Sequence, residues 1–385
     1  MRLPTTNQGG VHGNRFHSPP GFDYLGVMKQ DFIVIGGGIA GTSVGARLSH
    51  LGRVTVLEAE PALGYHSSGR SAAMFIETHG SKPVVALNRA SRAWLAETGV
   101  MVSRGMLVVA RAEDRTLFED ETDALELRVL DFEEARALVP VLNPDTTAYA
   151  GFQEAAFDLD TDLMIQTFAR EIRANSGQVL TGHRVTRIAR TDAGWCVETG
   201  LAAFEGAVVV NAAGAWVDQV ARMAGVEPLG FAPMRRSMAR LPAPGGQDIS
   251  GWPMVEGAGE RWYCKPDAGK LIVSPAEEDP MDPHDAFADD MVLAEGLTRY
   301  EEMVTTPVTR VESNWAGLRT FSPDRLLVIG FDPRAEGFFW HAGQGGFGFE
   351  TAPAASVLAA DIVAGRPPEM GTGMAGTLSP VRFGR

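Results

Sequence analysis

Three glycines, Gly36, Gly38 and Gly41, followed about twenty residues later by the carboxylate Glu58, are the first residues of this chain whose spacing implies chemistry. In a G-x-G-x-x-G turn the first glycine permits a tight reversal and the second lets the backbone approach a pyrophosphate. The third lets the following helix pack against its strand. The free N–H groups and positive dipole end of that helix then face the phosphates. Glu58 stands where a carboxylate accepts hydrogen bonds from the ribose hydroxyls of an adenosine. An acid there also disfavours a 2′-phosphate, so the expected ligand is a dinucleotide other than NADP.

A second turn, Gly343-Gln344-Gly345-Gly346-Phe347-Gly348, fits the same pattern, but only about forty residues follow it. Its helix runs into Gly365-Arg366-Pro367-Pro368 with no second strand and acid, so it is not another dinucleotide unit. A glycine turn at a helix N-terminus late in the chain can instead face a flavin ring and favour negative charge at its N1–O2 edge. The two turns together select FAD.

Two further residue types could grip a substrate. An arginine presents a planar fork to a carboxylate and a tyrosine hydroxyl can donate beside it. Arg319 and Tyr263 are candidates, together with one of the adjacent pair Arg235 and Arg236, between which only side-chain direction decides. Tyr263 follows Trp262 in a strand, where neighbours point to opposite faces, and a core tyrosine is its other reading. The segment Gly64-Tyr65-His66-Ser67-Ser68-Gly69-Arg70-Ser71-Ala72-Ala73 is too small and hydroxylated to be a core element.

The elements that must position these groups follow from periodicity. Asp31 to Ile35 is an apolar run, Thr42 to Leu51 has helical spacing, and Arg53 to Glu58 is again strand-like, giving β-turn-α-β. A helix over Asp162 to Asn175, a β run around Gln178 to Ile188 and a strand ending in Ala207 to Gly214 read as more of the same α/β unit. A Pro- and Gly-rich passage, Leu241 to Gly259, precedes strands at Arg261–Cys264 and Lys270–Ser274 and a helix over Asp289 to Met303. The last block holds strands at Leu326–Gly330 and Gly337–His341 and a helix over Ala352 to Ala364.

Composition sets the frame. The 385 residues, 45% apolar and 21% charged, suffice for two domains. A net charge of −14 without a basic run argues against nucleic acid as a partner. Cys196 and Cys264 offer neither a disulfide framework nor metal-ligand spacing, and the eight histidines lack paired spacing, so no metal is expected. No apolar run approaches the ~20 residues that span a bilayer, which excludes a transmembrane segment. The expected location is the cytoplasm, with a peripheral position at the inner face of the membrane as the alternative. Met1 to Val27, rich in Gly, Pro, His and Asn, reads as a disordered extension ahead of a natural start at Met28.

Taken in order, the two glycine turns, the Gly64–Ala73 segment, Asn211-Ala-Ala-Gly-Ala-Trp216, Arg235-Arg236, Trp262-Tyr263-Cys264-Lys265-Pro266-Asp267 and Trp315-Ala-Gly-Leu-Arg319 resemble the FAD-dependent D-amino-acid oxidase superfamily. The likeness runs from about Lys29 to Ala360 and is nearest to bacterial D-arginine dehydrogenase and related D-amino-acid dehydrogenases. It implies an α/β fold with an α+β substrate part: a glutathione-reductase-type FAD-binding Rossmann domain interleaved with a mixed-sheet substrate domain. The FAD-binding part is expected over 28–105, 160–230 and 318–370, the substrate part over 106–159 and 231–317, and a tail over 371–385.

The resemblance implies non-covalent FAD contacts from Gly36, Gly38, Ala40, Gly41, Glu58, Ala59, the loop Ser67, Ser68, Gly69, Arg70, Ser71, Ala72, Ala73 and Met74, and the backbone of Val185. Further contacts are expected from Ala213, Gly214 and Trp216 and from Gly345, Gly346, Phe347, Gly348, Phe349 and Glu350. On the substrate side it implicates Arg236, Tyr263, Arg319 and His79, with Met74, Met106, Met254, Glu256 and Gly346 around the pocket. Where the arginine-specific relative carries a glutamate for the substrate guanidinium, this chain has Met106. A pocket tyrosine is replaced by His79, and a pocket histidine by Met74. Glu256 stands at an apolar position of that relative, either as a relocated acidic contact or as a solvated loop residue. Arginine specificity is therefore not carried over.

The implied reaction is oxidation of a D-amino acid by hydride transfer to flavin N5, followed by hydrolysis of the imine to a 2-oxo acid and ammonia. His79 is a candidate only for tuning the amine proton. Oxidation of sarcosine, glycine or a 2-hydroxy acid, or service as the flavin subunit of a multi-component dehydrogenase, are the rival expectations. The acceptor that reoxidises the flavin, oxygen or a quinone-type carrier, is left open.

Overall fold

The computed structural model describes residues 27–384. The reading of Met1 to Val27 as an extension therefore lies, but for Val27, outside the described residues.

The strand Met28–Ile35 ends in four buried residues and turns at Gly36 into the helix Ile39–Leu48, which leads back to the strand Val54–Leu57. Gly36 has φ +112, and a Cβ there would stand 2.3 Å from the Ala212 carbonyl oxygen, so both conformation and space demand glycine. A Cβ on Gly41 would stand 1.8 Å from the Gly36 carbonyl oxygen, which fixes how closely the helix rides on its strand.

These strands belong to an eight-stranded sheet. Its parallel part runs Gln178–Leu180, Val54–Leu57, Met28–Ile35, Ala203–Asn211, Phe338–Ala342. The long strand Ala203–Asn211 serves two neighbours on the edge away from Met28–Ile35. Its first half pairs antiparallel with Gly194–Thr199 and its last residues pair in parallel with Phe338–Ala342. The helices Ile39–Leu48, Thr161–Ala174 and Gly348–Val363 pack on this sheet through a cluster that includes Val44, Leu48, Phe168, Ile172 and Leu358. Parallel strands covered in this way read as continuous apolar runs, which is why the sequence marks them well.

A nine-stranded mixed sheet holds Met106–Ala110, Tyr149–Gln153, Ala232–Pro242, Met254–Gly257, Trp262–Asp267, Lys270–Ser274 and Ser313–Phe321 among its members. Met254–Gly257 runs parallel to Met106–Ala110, whereas the other pairings are antiparallel. Its core is built on Leu107, Trp252, Trp262, Leu271 and Tyr300. A third, three-stranded sheet joins Met74–Ile76, Ala156–Leu159 and Met101–Ser103.

Several elements differ from expectation. The β run at Gln178 to Ile188 is two strands, Gln178–Leu180 and Val185–Thr191, in different parts of the sheet, because Gly182 turns the chain at φ +68. The last long helix begins at Gly348 rather than Ala352, directly at the second glycine turn. Residues 371–385, expected as a tail, contain the helix Thr372–Leu378, whose Leu378 is fully buried in the main core. The helices Lys82–Glu97, Arg115–Leu125 and Phe132–Leu138 were not anticipated.

Candidate active site

A cleft of about 410 Å³ opens along the C-terminal ends of the parallel strands. At one end stand Glu58, Ala59 and the backbone around Val185; Gly36, Gly38 and Ala40 line its middle. Glu58 Oε2 accepts from the Gly37 N–H at 2.6 Å and Oε1 from the Glu60 N–H at 2.8 Å, which holds the carboxylate at the strand end. Gly37, given no role by the spacing, has one here, since a Cβ on it would meet the Glu58 Cβ at 2.7 Å.

The loop Ser67–Arg70 folds as a 3₁₀ turn over the helix start, with the Ile39 N–H donating to Ser68 Oγ at 3.1 Å. Ser67, Ser68, Arg70 and Ser71 line the cleft, as do Ala213, Gly214 and Trp216 across from them. The Arg70 guanidinium is committed elsewhere, donating to the Ala286 and Ala316 carbonyls at 2.8 and 2.9 Å. Gly345, Gly346, Gly348 and Phe349 close the far end.

Gly41, Gly69, Ala72, Ala73, Met74, Phe347 and Glu350 do not line the cleft, and neither do the expected pocket residues His79, Met106, Met254, Glu256 and Tyr263. Gly41 and Gly69 are used for backbone approach: a Cβ on Gly69 would lie 2.5 Å from the Gly64 carbonyl oxygen. Ala72 and Met74 pack with Tyr263 and Met254 instead. Phe347 lies against the His79 ring, their centroids 5.0 Å apart.

The mixed sheet presents one face to the far end of the cleft. In the register of Ala232–Pro242 with Ser313–Phe321, Met234 opposes Arg319 and Arg236 opposes Gly317, so Arg236 and Arg319 share a face. Both line the cleft, along with Met238. Arg235 must point the other way. It does, pairing with Asp279 at 2.7 Å and standing 3.7 Å from Glu277, so its guanidinium is occupied on the far side of the sheet.

Arg319 has no hydrogen-bonded or ion-paired partner among the described residues. Burial, and then the Arg236 charge, pull its guanidinium below the ordinary range. A Cβ at Gly346 would stand only 3.3 Å from its Nη1. Arg236 is 5% exposed, and among the described residues its Nε has no hydrogen-bond partner and its nearest carboxylate oxygen is Glu278 Oε1 at 3.4 Å. Its guanidinium carbon sits 5.9 Å from the Tyr263 ring centre. Tyr263 is buried, and among the described residues its hydroxyl has only a thioether, Met238 Sδ at 3.6 Å, to donate to.

Glu256 opposes Tyr263 across the strands and is buried, not a solvated loop residue. Burial, and then Glu260 and Glu121, push its carboxyl up to about 8, with His79 and Arg236 opposing the rise. Met106 pairs with Met254 in the adjoining strands, and both are buried. His79 Nδ1 lies 3.2 Å from Glu350 Oε1. Burial would lower the imidazole, but Glu350, by charge and hydrogen bond, and then Glu260 and Glu256, outweigh it and raise His79 to about 9. Burial raises the Glu350 carboxyl, with His79, the Ile76 backbone and the Asn88 amide opposing the rise. Met238 and Glu278 were missed from sequence. The period-2 alternation after Arg236 would have found Met238, but nothing local marks Glu278.

A glycine-lined cleft leading from an acid-ended parallel strand to the buried Arg236 and the half-buried Arg319 is the arrangement of a dinucleotide-dependent oxidoreductase. The chain belongs to the FAD dependent oxidoreductase family, whose model matches residues 31–362. It is 29% identical over 280 residues to a glycine oxidase of Pseudomonas aeruginosa, covering 65% of this chain and 70% of that one. It is 27% identical over 391 residues to an N-methyl-L-tryptophan oxidase of Salmonella arizonae, covering 93% and 99%. The match to FAD-dependent oxidoreductase domain-containing protein 1 of Xenopus laevis, 26% identical, covers 41% of this chain and 35% of that protein, so the chain spans about a third of that relative. In fold it is similar to an L-proline dehydrogenase from P. horikoshii, with a TM-score of 0.79 at 21% identity over 93% of this chain and 99% of that one. These names do not single out the D-arginine dehydrogenase branch that the motifs resemble.

FAD is thus the cofactor, and the residues present fit it. The triple glycine leaves a cradle that any side chain would fill, and Glu58 supplies the acid at its end. No helix among the described residues is long and apolar enough to cross a membrane.

Proposed function

We propose that this chain oxidises the carbon–nitrogen bond of a small amino acid whose carboxylate is held by Arg319 and Arg236, with Tyr263 donating beside them. The observation that carries this reading is Arg319: a cation at the inner end of the cleft, on the sheet face it shares with Arg236, without an acid of its own among the described residues. A cation removed from water without a partner is costly, and a bidentate substrate carboxylate would complete it. When bound, FAD supplies the acceptor for the electron pair.

The chain's own residues orient and sort. Anchoring the carboxylate fixes the adjoining carbon, which is most of what such a reaction asks of the protein. His79, charged at neutral pH through Glu350, serves as a fixed cation and not as a base. Glu256, protonated below about pH 8, is a neutral group on the sheet face that also carries Tyr263. With Met106 and Met254 beside it, this favours an uncharged side chain over a guanidinium. The imine product hydrolyses to a 2-oxo acid and ammonia.

We assign FAD binding to 28–105, 160–230 and 318–370 and substrate binding to 106–159 and 231–317, a division supported by the membership of the two large sheets except at Ser313–Phe321, which crosses the 317/318 boundary and lies in the nine-stranded sheet with Arg319. D-amino acids are the first substrate class, on the strength of the motif order. Glycine and N-methyl amino acids are the second, favoured by the names of the two relatives that cover most of their own length here. The test is steady-state kinetics of Arg319→Met on the best substrate of a panel of all three. The expected result is a KM increase and a loss of roughly 100-fold in kcat/KM, the scale of a lost charge-assisted contact. Unchanged kinetics would sink the clamp.

A further inference from the structure

Glu278 stands between a buried guanidinium and an exposed one. Its Oε1 lies 3.4 Å from Arg236 Nη2 and 3.0 Å from Arg325 Nη2, and its Oε2 lies 2.8 Å from Arg325 Nη2. Side-chain exposure rises from 5% at Arg236 through 32% at Glu278 to 53% at Arg325, so the three groups lead from the cleft to solvent. The only other carboxylate within ion-pair distance of Arg236 among the described residues is Glu260, at 3.9 Å and more than half exposed.

Arg325 is held in place. Its guanidinium carbon sits 3.9 Å over the Phe321 ring, and its backbone is left-handed at φ 63. The turn that carries it is tied by Ser322 Oγ donating to the Leu326 carbonyl at 2.6 Å and by Asp324 pairing with Arg382 at 2.7 Å. Phe321 in turn packs on the glycine turn, where a Cβ on Gly345 would fall 2.3 Å from the ring. Arg325 is therefore a fixed anchor beside the substrate end of the cleft.

Glu278 and an incoming carboxylate want the same guanidinium. Sharing Arg236 with Glu278 weakens its grip on a ligand, whereas Arg325 draws Glu278 away from it. We propose that Glu278 is a carboxylate switch: it shares Arg236 in the free enzyme and passes wholly to Arg325 when a substrate carboxylate takes Arg236. The proposal rests on the carboxylate-clamp reading given above. Glu278 is a positioning residue, acting on substrate through Arg236, and Arg325 acts only through Glu278.

That order of action sets the test. The FAD-bound enzyme is titrated with acetate and with benzoate, and binding is read from the perturbed flavin absorbance. Glu278→Gln should bind about tenfold tighter than wild type, and Arg325→Gln about threefold to tenfold weaker, because Glu278 then settles on Arg236. The double variant E278Q/R325Q should bind as tightly as E278Q alone. Long-range charge by itself makes the two effects add and returns the double variant to wild-type affinity, and that result would overturn the proposal. So would wild-type affinity in E278Q, and Glu278→Ala guards against a contribution from the new amide. Carboxylate binding that is absent from wild type, or unaffected by Arg319→Met, would instead refute the clamp on which the switch depends.

Discussion

At the scale of single residues, the pocket is a set of charges displaced from their ordinary states by burial and by one another. Glu256 is the clearest case. A carboxyl whose folded value is raised from 4.5 to about 8 binds more protons in the folded state, so stability falls as pH rises from about 4.5 and levels off above about 8. Glu256→Gln should remove that slope and raise Tm at pH 8 by a few degrees while leaving it nearly unchanged at pH 4. A slope that survives the substitution would place the titration elsewhere. His79 is raised from 6.5 to about 9, so its contribution is present below about pH 6.5 and lost as pH rises through 9. His79→Asn should lower stability at pH 6 and have little effect at pH 10, measured by thermal melts of the FAD-bound enzyme. The arginines were legible in sequence because guanidinium chemistry is carried by residue type. The choice between Arg235 and Arg236 was not, since it depends on which face of a long strand meets the cleft.

At the scale of elements, two glycine turns and one sheet face do the positioning. The first turn is a matter of contact distances: Gly41→Ala would place a methyl 1.8 Å from the Gly36 carbonyl oxygen and must push the helix off its strand. The purified variant should carry well under half the wild-type flavin per chain by absorbance, and full flavin content would contradict the packing role. Strand, turn and helix of this unit were readable because all their signals are local. The first strands end in short apolar runs, the glycines are punctuation, and Glu58 follows at once. The mixed sheet was less readable. Its strands Met106–Ala110, Tyr149–Gln153 and Met254–Gly257 are held by partners far away in sequence, and their burial is set by that pairing rather than by their own pattern. The grouping of Glu256, Tyr263 and Met238 on one face is a consequence of register, which no short window contains.

At the scale of the whole molecule, the cleft that runs from Glu58 to Arg319 is lined by both large sheets, so the proposed cofactor and substrate groups rest on separate cores. The eight-stranded sheet also carries a pH liability. His341 is 1% exposed, its Nδ1 is without a hydrogen-bond partner among the described residues, and burial depresses it to about 4. Folding then excludes a proton that the unfolded chain accepts, so stability falls as pH drops from 6.5 toward 4, by about 2 kcal/mol at pH 5. His341→Gln should flatten the loss between pH 7 and pH 5 in urea unfolding, and an undiminished loss would assign it to other groups.

The central claim, that a flavin cleft here ends in a carboxylate clamp for an amino acid, is met most directly by anaerobic reduction of the bound flavin. D-amino acids, glycine, N-methyl amino acids and the corresponding amines without a carboxylate are mixed with wild type and with Arg319→Met. The account expects rapid bleaching of the wild-type flavin by at least one carboxylate-bearing amine and none by its decarboxylated counterpart, with the rate at low substrate falling roughly 100-fold in R319M. Equal bleaching by the amine with and without its carboxylate, or by wild type and R319M, would contradict it.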